Sequence, residues 1–273
     1  MLTRLVTALA LTNLGTGSVE RMYVFNCGEI LIRDISHWSP GVNPGRQFEF
    51  SNNCYLIRHA KGWMLWDSGY PDAFAARPEG VVAPSGLNVG RLPRTLASQL
   101  GEIGLTPSDI THLAFSHMHG DHVGNAGLFS RATLYIQEAE YDAAFGPEFA
   151  TFSFNPTAYE KLRDNRVVKL RGDYDVFGDS SVMILSTPGH TPGHQSLLVR
   201  LPRRGPVILS GDLVHFQDNW ENRRVPSFNY DREQSLASMQ KVADLLVSER
   251  AELWINHDKA QSGRIPKAGR YIE

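Results

Sequence analysis

The run from Ser116 to His122, SHMHGDH, constrains this chain more than any other part of its sequence. It places three histidines and one aspartate directly after the apolar segment ITHLAFS, which predicts a buried strand. Alternate residues of an extended chain point the same way, so His117 and His119 share one direction. The following turn brings Asp121 and His122 to an adjacent point. Because imidazole and carboxylate are ligands for divalent metals, the run predicts a metal site at a strand end.

Further ligand residues follow other apolar segments. His190 and His194 lie in TPGHTPGH after VMILS, Asp212 ends PVILSGD, and His257 follows ELWIN. Loops at the ends of buried strands commonly carry site residues. By spacing alone, either histidine of TPGHTPGH is a candidate ligand. So large a ligand set argues against a purely structural zinc, which closes with four ligands and usually cysteines.

The composition is that of an ordinary globular protein. The formal net charge of −2 offers no basic excess to bind the phosphates of nucleic acid. No apolar run approaches the roughly 18 residues needed to span a bilayer, so membrane insertion is not expected. Residues 1–20 predict a weak signal peptide or a disordered N-terminus, and residues 21–273 predict one domain. A periplasmic or secreted location is slightly favoured over a cytoplasmic one, and a homodimer is compatible with the sequence.

Short β-rich segments alternate with a few helices. A helix is predicted over Leu92 to Leu105, and a second one begins at a capping box formed by Asp231 and Gln234. The two cysteines, Cys27 and Cys54, can make at most one disulfide. We interpret them as small buried residues on neighbouring strands. The strand candidates are MYVFN, NCYLIRH, WMLWDSG, ITHLAFS, VVKL, VMILS, SLLVRLP, PVILSGD and ELWIN.

Taken together, these motifs resemble the metallo-β-lactamase superfamily, whose signature is His-x-His-x-Asp-His. The resemblance implies an α/β (α+β) fold, a four-layer αββα sandwich that holds two divalent metal ions. Zinc is favoured, and manganese, iron or cobalt would suit the same ligands. Asp67, in WDSG, would support the metal-bearing loop, with His190 in a supporting role. The implied ligands are His117, His119 and His194 for the first metal, Asp121, His122 and His257 for the second, and Asp212 bridging both.

Within that superfamily the chain is similar to the N-acyl-homoserine lactonases, the quorum-quenching enzymes. The similarity rests on YVFNCGEI, NNCYLI, WDSG, SHMHGDHVGN, TPGHTPGHQSLLV, SGD and NHD. It implies that a metal-bridging hydroxide opens the lactone ring of a small-molecule substrate, with Asp121 relaying the proton. His215 stands where several lactonases have a tyrosine, and its N–H could donate to the developing oxyanion. The candidates for an apolar groove are Trp38, Phe149, Phe152, Phe154 and Phe216.

Other activities remain open at this point. A hydrolase of the same fold could act on aryl or organophosphate esters, or on thioesters. A glutathione-thioester hydrolase would need basic residues near the C-terminus, and Lys259, Arg264, Lys267 and Arg270 lie there. A di-iron redox protein would be expected to carry a fused flavin domain. A metal-free binding module would be expected to lack some of the ligands.

Overall fold

The computed structural model describes residues 18–267 and 269–273. Most of the predicted N-terminal segment therefore lies outside the described residues. The strands are β1 (Val19–Ile32), β2 (Phe48–His59), β3 (Gly62–Trp66), β4 (Val81–Val82), β5 (Asn88–Arg91), β6 (His112–Ala114), β7 (Thr133–Gln137), β8 (Val167–Leu170), β9 (Tyr174–Asp175), β10 (Val182–Ser186), β11 (Gln195–Leu201), β12 (Gly205–Leu209), β13 (Glu252–Trp254) and β14 (Tyr271–Ile272).

The helices are α1 (Leu96–Glu102), α2 (Gly120–Val123), α3 (Glu138–Phe145), α4 (Gln217–Glu221), α5 (Arg232–Glu249) and α6 (Lys259–Ser262). Short 3-10 helices cover Ile35–His37, Asp72–Ala76, Pro107–Asp109, Ala126–Leu128, Phe149–Phe152, Pro156–Ala158, Glu160–Asp164 and Gly211–Leu213. Within the described ranges, no helix is long and apolar enough to cross a membrane.

Two sheets organise the described residues. The larger has the order β4-β5-β1-β2-β3-β6-β7-β8, with β14 beside β1, and the smaller has the order β13-β12-β11-β10-β9. Strands β3, β6, β7 and β8 run parallel, as do β12 and β13. The carboxyl ends of parallel neighbours lie at one sheet edge, so the loops after β3 and β6 lie together, as do those after β12 and β13.

Alternating side chains on each strand build separate apolar layers. Phe25 packs between the larger sheet and its helices, whereas Val24 packs between the two sheets. On β11, Leu197 faces the larger sheet and Leu198 faces α5. One helical layer therefore lies outside each sheet. This arrangement confirms the predicted four-layer αββα sandwich.

Both helix predictions are confirmed, although one of the two helices is shorter than predicted. Helix α5 begins where the capping box predicts, since Asp231 Oδ1 accepts a hydrogen bond from the backbone N–H of Gln234 at 2.9 Å. Helix α1 covers only the middle of the range predicted for it. It starts after Thr95, whose side chain caps the first turn, and it ends before Gly104, which has a φ of +75°.

The cysteines differ from our interpretation in one respect. Cys27 on β1 and Cys54 on β2 are buried on neighbouring strands, as expected, but they also form a disulfide. Their Cα atoms lie 5.7 Å apart, which is within the usual range for such a bond. The bond closes a loop that contains the irregular segment after β1 and thus limits the freedom of that segment in the unfolded chain.

Candidate metal centre

The turn after β6 is held by a buried carboxylate from the loop after β3. Asp67 Oδ1 accepts the backbone N–H of Ser116 at 2.7 Å, and Asp67 Oδ2 lies 2.9 Å from His122 Nδ1. Because a carboxylate only accepts, His122 Nδ1 must carry the proton, which leaves its Nε2 lone pair facing the cluster. Asp67 therefore has the supporting position that the resemblance implied, and its contacts orient a predicted ligand.

His117 and His119 are oriented in the same way. The Ser116 hydroxyl donates to Asp67 Oδ2 at 3.1 Å, so it can only accept from His117 Nδ1, also 3.1 Å away. His119 Nε2 donates to the carbonyl oxygen of Phe152 at 2.9 Å. Each ring therefore presents a bare nitrogen inward. These nitrogens, His117 Nε2 and His119 Nδ1, lie 2.8 Å apart.

The loop after β10 contributes His190 rather than His194. His190 Nε2 lies 3.1 Å from His119 Nδ1, and His117, His119 and His190 form one of the groups that could hold a metal ion. His194 uses both ring nitrogens on the backbone. Its Nδ1 donates to the Thr187 carbonyl at 2.9 Å, and its Nε2 accepts the N–H of Asp212 at 2.9 Å. With no lone pair left for a metal, His194 is corrected from a ligand to a support for Asp212.

Asp212 lies between this group and a second one. Its Oδ1 is 3.0 Å from His257 Nε2 and 3.3 Å from His122 Nε2, and its Oδ2 is 3.5 Å from His190 Nε2. Asp121, His122 and His257 can themselves hold a metal ion. His257 Nδ1 donates to the Ser51 carbonyl at 2.7 Å, which frees Nε2 for the cluster. The two oxygens of Asp212 thus face two adjacent ligand groups.

These residues fit two cations. The lone pairs of His117 Nε2, His119 Nδ1 and His190 Nε2 point at one another across about hydrogen-bond distance, and in these tautomers no proton lies between them. Such an arrangement is repulsive unless a cation lies among the nitrogens. His122 Nε2 and Asp212 Oδ1 are buried without a hydrogen-bond partner. Among the described residues, all the ion-pair partners of Asp67, Asp121 and Asp212 are histidines. A buried cluster with this many carboxylates and no lysine or arginine partner needs positive charge.

The pKa values of the clustered residues are shifted in opposite directions by burial and by neighbouring charges. Burial lowers the pKa of His117 and His190 well below the usual range, and neighbouring imidazoles lower it further, so both rings stay neutral. Burial alone would lower the pKa of His122, but Asp212, Asp67 and Asp121 raise it well above normal. Burial would raise the pKa of Asp212, yet His257, His122 and His215 hold it well below its usual value. Without a metal, the cluster thus combines neutral imidazoles at His117 and His190 with a protonated imidazole at His122 and an ionised carboxylate at Asp212, and binding of a cation would displace the extra proton of His122.

His215 lies at the edge of the cluster. Its Nε2 is 3.1 Å from Asp212 Oδ2, and its Nδ1 is buried without a partner. The ring stacks on Phe50 with centroids 6.1 Å apart, and the residue is only 2% exposed. His215, Asp212 and His190 also form a group that could hold a metal ion. The structure therefore brings His215 to the site with its Nε2 facing Asp212.

The predicted groove residues lie on two sides of the cluster. Trp38 and Phe216 pack around Phe50 in a small apolar cluster, and Phe216 also lines an open cavity of about 700 Å³ with Phe48. Phe154 lies on the other side, 5.4 Å from the ring of His119. Phe152 lies beside Phe154, with ring centroids 5.7 Å apart. Phe149 packs against the core between the larger sheet and its helices, as Phe152 and Phe154 also do.

Sequence reasoning missed several residues of this site. Phe228 is 47% exposed, and its ring lies 6.1 Å from those of both His190 and His215. Tyr230 is 53% exposed and contacts Phe152. The aromatic segment SFNYD was a usable signal for both residues. Glu140, which is buried and accepts the N–H groups of Met118 and Gly193, carried no such signal because it lies in a plain helical segment.

Comparison with known proteins agrees with this geometry. The model of the metallo-beta-lactamase superfamily matches residues 48–250. An N-acyl homoserine lactonase from a Bacillus species is 31% identical over 250 residues, covering 89% of this chain and 95% of the relative. The N-acyl homoserine lactonase AttM of Azorhizobium caulinodans is 30% identical over 261 residues, covering 93% and 98% of the two chains.

Solved structures show the same relationship. A variant of AiiA from B. thuringiensis, with N-decanoyl-L-homoserine bound at its active site, superposes with a TM-score of 0.82 at 27% identity, covering 93% of this chain and all of that chain. An N-acyl homoserine lactone hydrolase with N-hexanoyl-L-homoserine bound at its catalytic metal centre gives a TM-score of 0.81 at 27% identity, covering 93% and 100% of the chains. The chain belongs to the metallo-beta-lactamase superfamily, together with these relatives named N-acyl homoserine lactonase.

Proposed function

We propose that this protein is a dinuclear-metal hydrolase that opens the lactone ring of N-acyl-homoserine lactones. The observation that carries the proposal is the two-sided placement of Asp212 between two groups of inward-facing imidazoles. Relatives similar over most of the chain support the substrate class, because one of them holds N-hexanoyl-L-homoserine at its catalytic metal centre.

The inward-facing lone pairs described above indicate which residues would hold each metal ion. Zinc is our first choice, because imidazole and carboxylate suit it, and manganese, iron or cobalt would also be accepted by these ligands. The first ion would be held by His117, His119 and His190, the second by Asp121, His122 and His257, and both by Asp212. Such ions, when bound, would supply Lewis acidity at this position, which would make water more acidic near neutral pH and would polarise the carbonyl under attack.

Residues of the protein itself would transfer the proton and stabilise the oxyanion. The Asp121 side chain is 23% exposed, so it can accept a proton from the attacking water and return it to the leaving alkoxide. His215 lies across the cluster, and its Nε2–H, which faces Asp212 Oδ2 at 3.1 Å, would donate to the carbonyl oxygen as negative charge develops there. His194 keeps Asp212 in place through the backbone N–H of Asp212.

The aromatic residues would bind the acyl chain. Trp38 and Phe228 form one pair, with ring centroids 5.6 Å apart, and Phe152 and Tyr230 form another at 5.7 Å. The exposed ring of Phe228 lies beside His190 and His215, and the exposed ring of Tyr230 lies beside Phe152, and an apolar tail would cover both rings. Phe149 is omitted from this proposal because the ring contacts with His119 and Tyr230 are made by Phe154 and Phe152.

The runner-up activity is hydrolysis of aryl or organophosphate esters, which the same aromatic rings would suit. Thioesters of glutathione are less well supported. Lys259 is paired with Glu49 at 2.7 Å, and Lys267 donates to Ser262 Oγ at 2.8 Å, so both amines already have partners within the chain.

Metal analysis and a substrate panel test the proposal. Purified protein should contain two metal ions per chain and should open short- and long-chain acyl-homoserine lactones. The ring opening is measured by the release of protons. Treatment with a chelator should abolish turnover, and zinc should restore it. Faster turnover of an aryl or phosphotriester substrate, with no turnover of lactones, would replace the proposal by the runner-up.

A further inference from the structure

The segment between α4 and α5 contacts His190 through one side chain. Asn229 Oδ1 lies 3.0 Å from His190 Nδ1, on the side of the ring opposite the cluster. Asn229 Nδ2 donates to Ser235 Oγ at 3.0 Å, and that hydroxyl donates to the carbonyl of Asp231 at 2.7 Å. These bonds form a continuous chain from the first turn of α5 to the imidazole.

The direction of every bond in this chain follows from its last member. A backbone carbonyl only accepts, so the single hydroxyl proton of Ser235 is used on Asp231. Ser235 Oγ can then only accept, so the amide NH₂ of Asn229 must face it. The amide oxygen therefore faces His190, and His190 Nδ1 must carry the ring proton. As a result, the Nε2 atom of His190 is left with a bare lone pair.

The backbone holds this arrangement in register. The N–H of Tyr230 donates to the His190 carbonyl at 3.1 Å, and the N–H of Asp231 donates to the Gly189 carbonyl at 2.9 Å. Gly189 has a φ of +136°, and a Cβ there would lie 2.3 Å from the backbone nitrogen of Ser235. Only glycine allows so close an approach, so the His190 loop is packed directly against the start of α5.

We propose that Asn229 is a positioning residue that sets the tautomer and orientation of His190 and thereby makes its Nε2 a metal ligand. The inference rests on the metal site assigned under the proposed function. It explains why His190 rather than His194 takes the ligand position, since the ring nitrogens of His194 are both used by backbone groups. Partners that accept a hydrogen bond from the far nitrogen of a metal-binding histidine fix its tautomer and strengthen metal binding.

Three variants separate this role from a structural one. Asn229→Ala removes the acceptor. Asn229→Asp keeps an acceptor for His190 Nδ1 but loses the donor to Ser235. Asn222→Ala is the matched control, since Asn222 is exposed and bonds only within its own helical turn, to Asp218.

The first measurement uses metal-free protein. Nitrogen-15 NMR of labelled histidines, with the His190 signals assigned through His190→Gln, reports which ring nitrogen is protonated. Wild type, Asn222→Ala and Asn229→Asp should show the proton on Nδ1, and Asn229→Ala should show a substantial Nε2–H population. A wild-type ring protonated on Nε2, or an unchanged tautomer in Asn229→Ala, would overturn the inference.

The second measurement is zinc affinity by competition with a chromophoric chelator. Asn229→Ala should lose about 10- to 100-fold in affinity for one metal, the usual cost of removing such a partner. Asn229→Asp should stay within a few-fold of wild type. Equal weakening in both Asn229 variants would assign Asn229 a merely structural role. A wild type that binds zinc but opens no lactone would refute the proposed function and leave this inference standing.

Discussion

The turn from Ser116 to His122 and the loop from Thr187 to His194 bring histidines to the same cluster by different means. In the turn, the ligands are close in sequence, and a single carboxylate, Asp67, fixes the backbone and one ring. In the loop, two histidines compete for one position. Hydrogen-bond partners decide between them: Asn229 leaves a nitrogen of His190 free, whereas Thr187 in the same loop and Asp212 outside it occupy both nitrogens of His194. In the turn the ligands are recognisable from their own sequence, whereas in the loop the choice of ligand depends on contacts with other segments.

The largest effect should separate the two histidines of the loop. His190→Ala should lose one metal ion and lower kcat on the order of 10⁴-fold, because metal ions supply several kcal/mol of charge stabilisation. His194→Ala should keep both metals, lose thermal stability and lower kcat far less, since it only supports Asp212. Metal counting by mass spectrometry and steady-state kinetics check both. Retention of two metals in His190→Ala, with loss in His194→Ala, would reverse our correction.

Asp121 tests whether the turn supplies chemistry as well as ligands. Asp121→Asn should lower kcat by about 10²- to 10⁴-fold, because an amide cannot accept the proton and is a poorer ligand. The fold should largely persist, because the Asp121 side chain is partly exposed. The hydrogen bond from Asn52 is made to the backbone carbonyl of Asp121 and does not depend on the side chain. Circular dichroism melting and kinetics give the comparison. Equal loss of stability, metal and activity would make Asp121 mainly structural.

His215 belongs to neither region, and its effect should be smaller. His215→Ala should reduce kcat and kcat/KM together by about 10²- to 10³-fold, the cost of losing one oxyanion donor. Metal content should be unchanged, and His215→Tyr should restore part of the rate, because a phenol O–H can donate to the same oxygen. Rates should be measured on one lactone and one aryl ester. Wild-type rates for the alanine variant on both would remove His215 from the mechanism.

The same contrast explains what could be predicted from the sequence. Runs of β-branched, aromatic and other apolar residues predicted β1, β2, β3, β6, β8 and β10–β13, and the capping box predicted α5. Strands β4, β9 and β14 have only two residues each and follow no pattern long enough to detect. Helix α3, with the sequence EAEYDAAF, showed no clear apolar stripe.

The residues of the site also divide into those that could be predicted from the sequence and those that could not. The residues of the turn were identified with their partner Asp67, because each lies beside a recognisable strand end. The choice of His190 could not be made, since spacing gives residue types and not which ring nitrogen is free. Phe228 and Asn229 come from a connection whose position over the cluster depends on the packing of α5 against the smaller sheet. Such packing is not readable from local sequence.

The last prediction concerns Glu140, which joins the two regions. Its carboxylate accepts the N–H of Met118 in the turn and the N–H of Gly193 in the loop, each at 2.9 Å. Burial raises its pKa from 4.5 to about 7, although these two bonds partly oppose the shift. A carboxyl whose folded pKa is raised favours the folded state below its unfolded pKa, and this contribution is lost as the pH rises through the folded value.

Between about pH 4.5 and 7 the free energy of unfolding should therefore fall by up to about 3 kcal/mol on account of this residue. Glu140→Gln should remove that fall, since an amide does not titrate. It should also weaken the link between turn and loop, because its NH₂ group cannot accept the second N–H. Urea unfolding of metal-free wild type and variant at pH 5 and pH 8 isolates the effect, as the histidine cluster titrates in both proteins. Parallel pH dependence in the two would mean that Glu140 stays ionised throughout, with its two backbone bonds outweighing its burial.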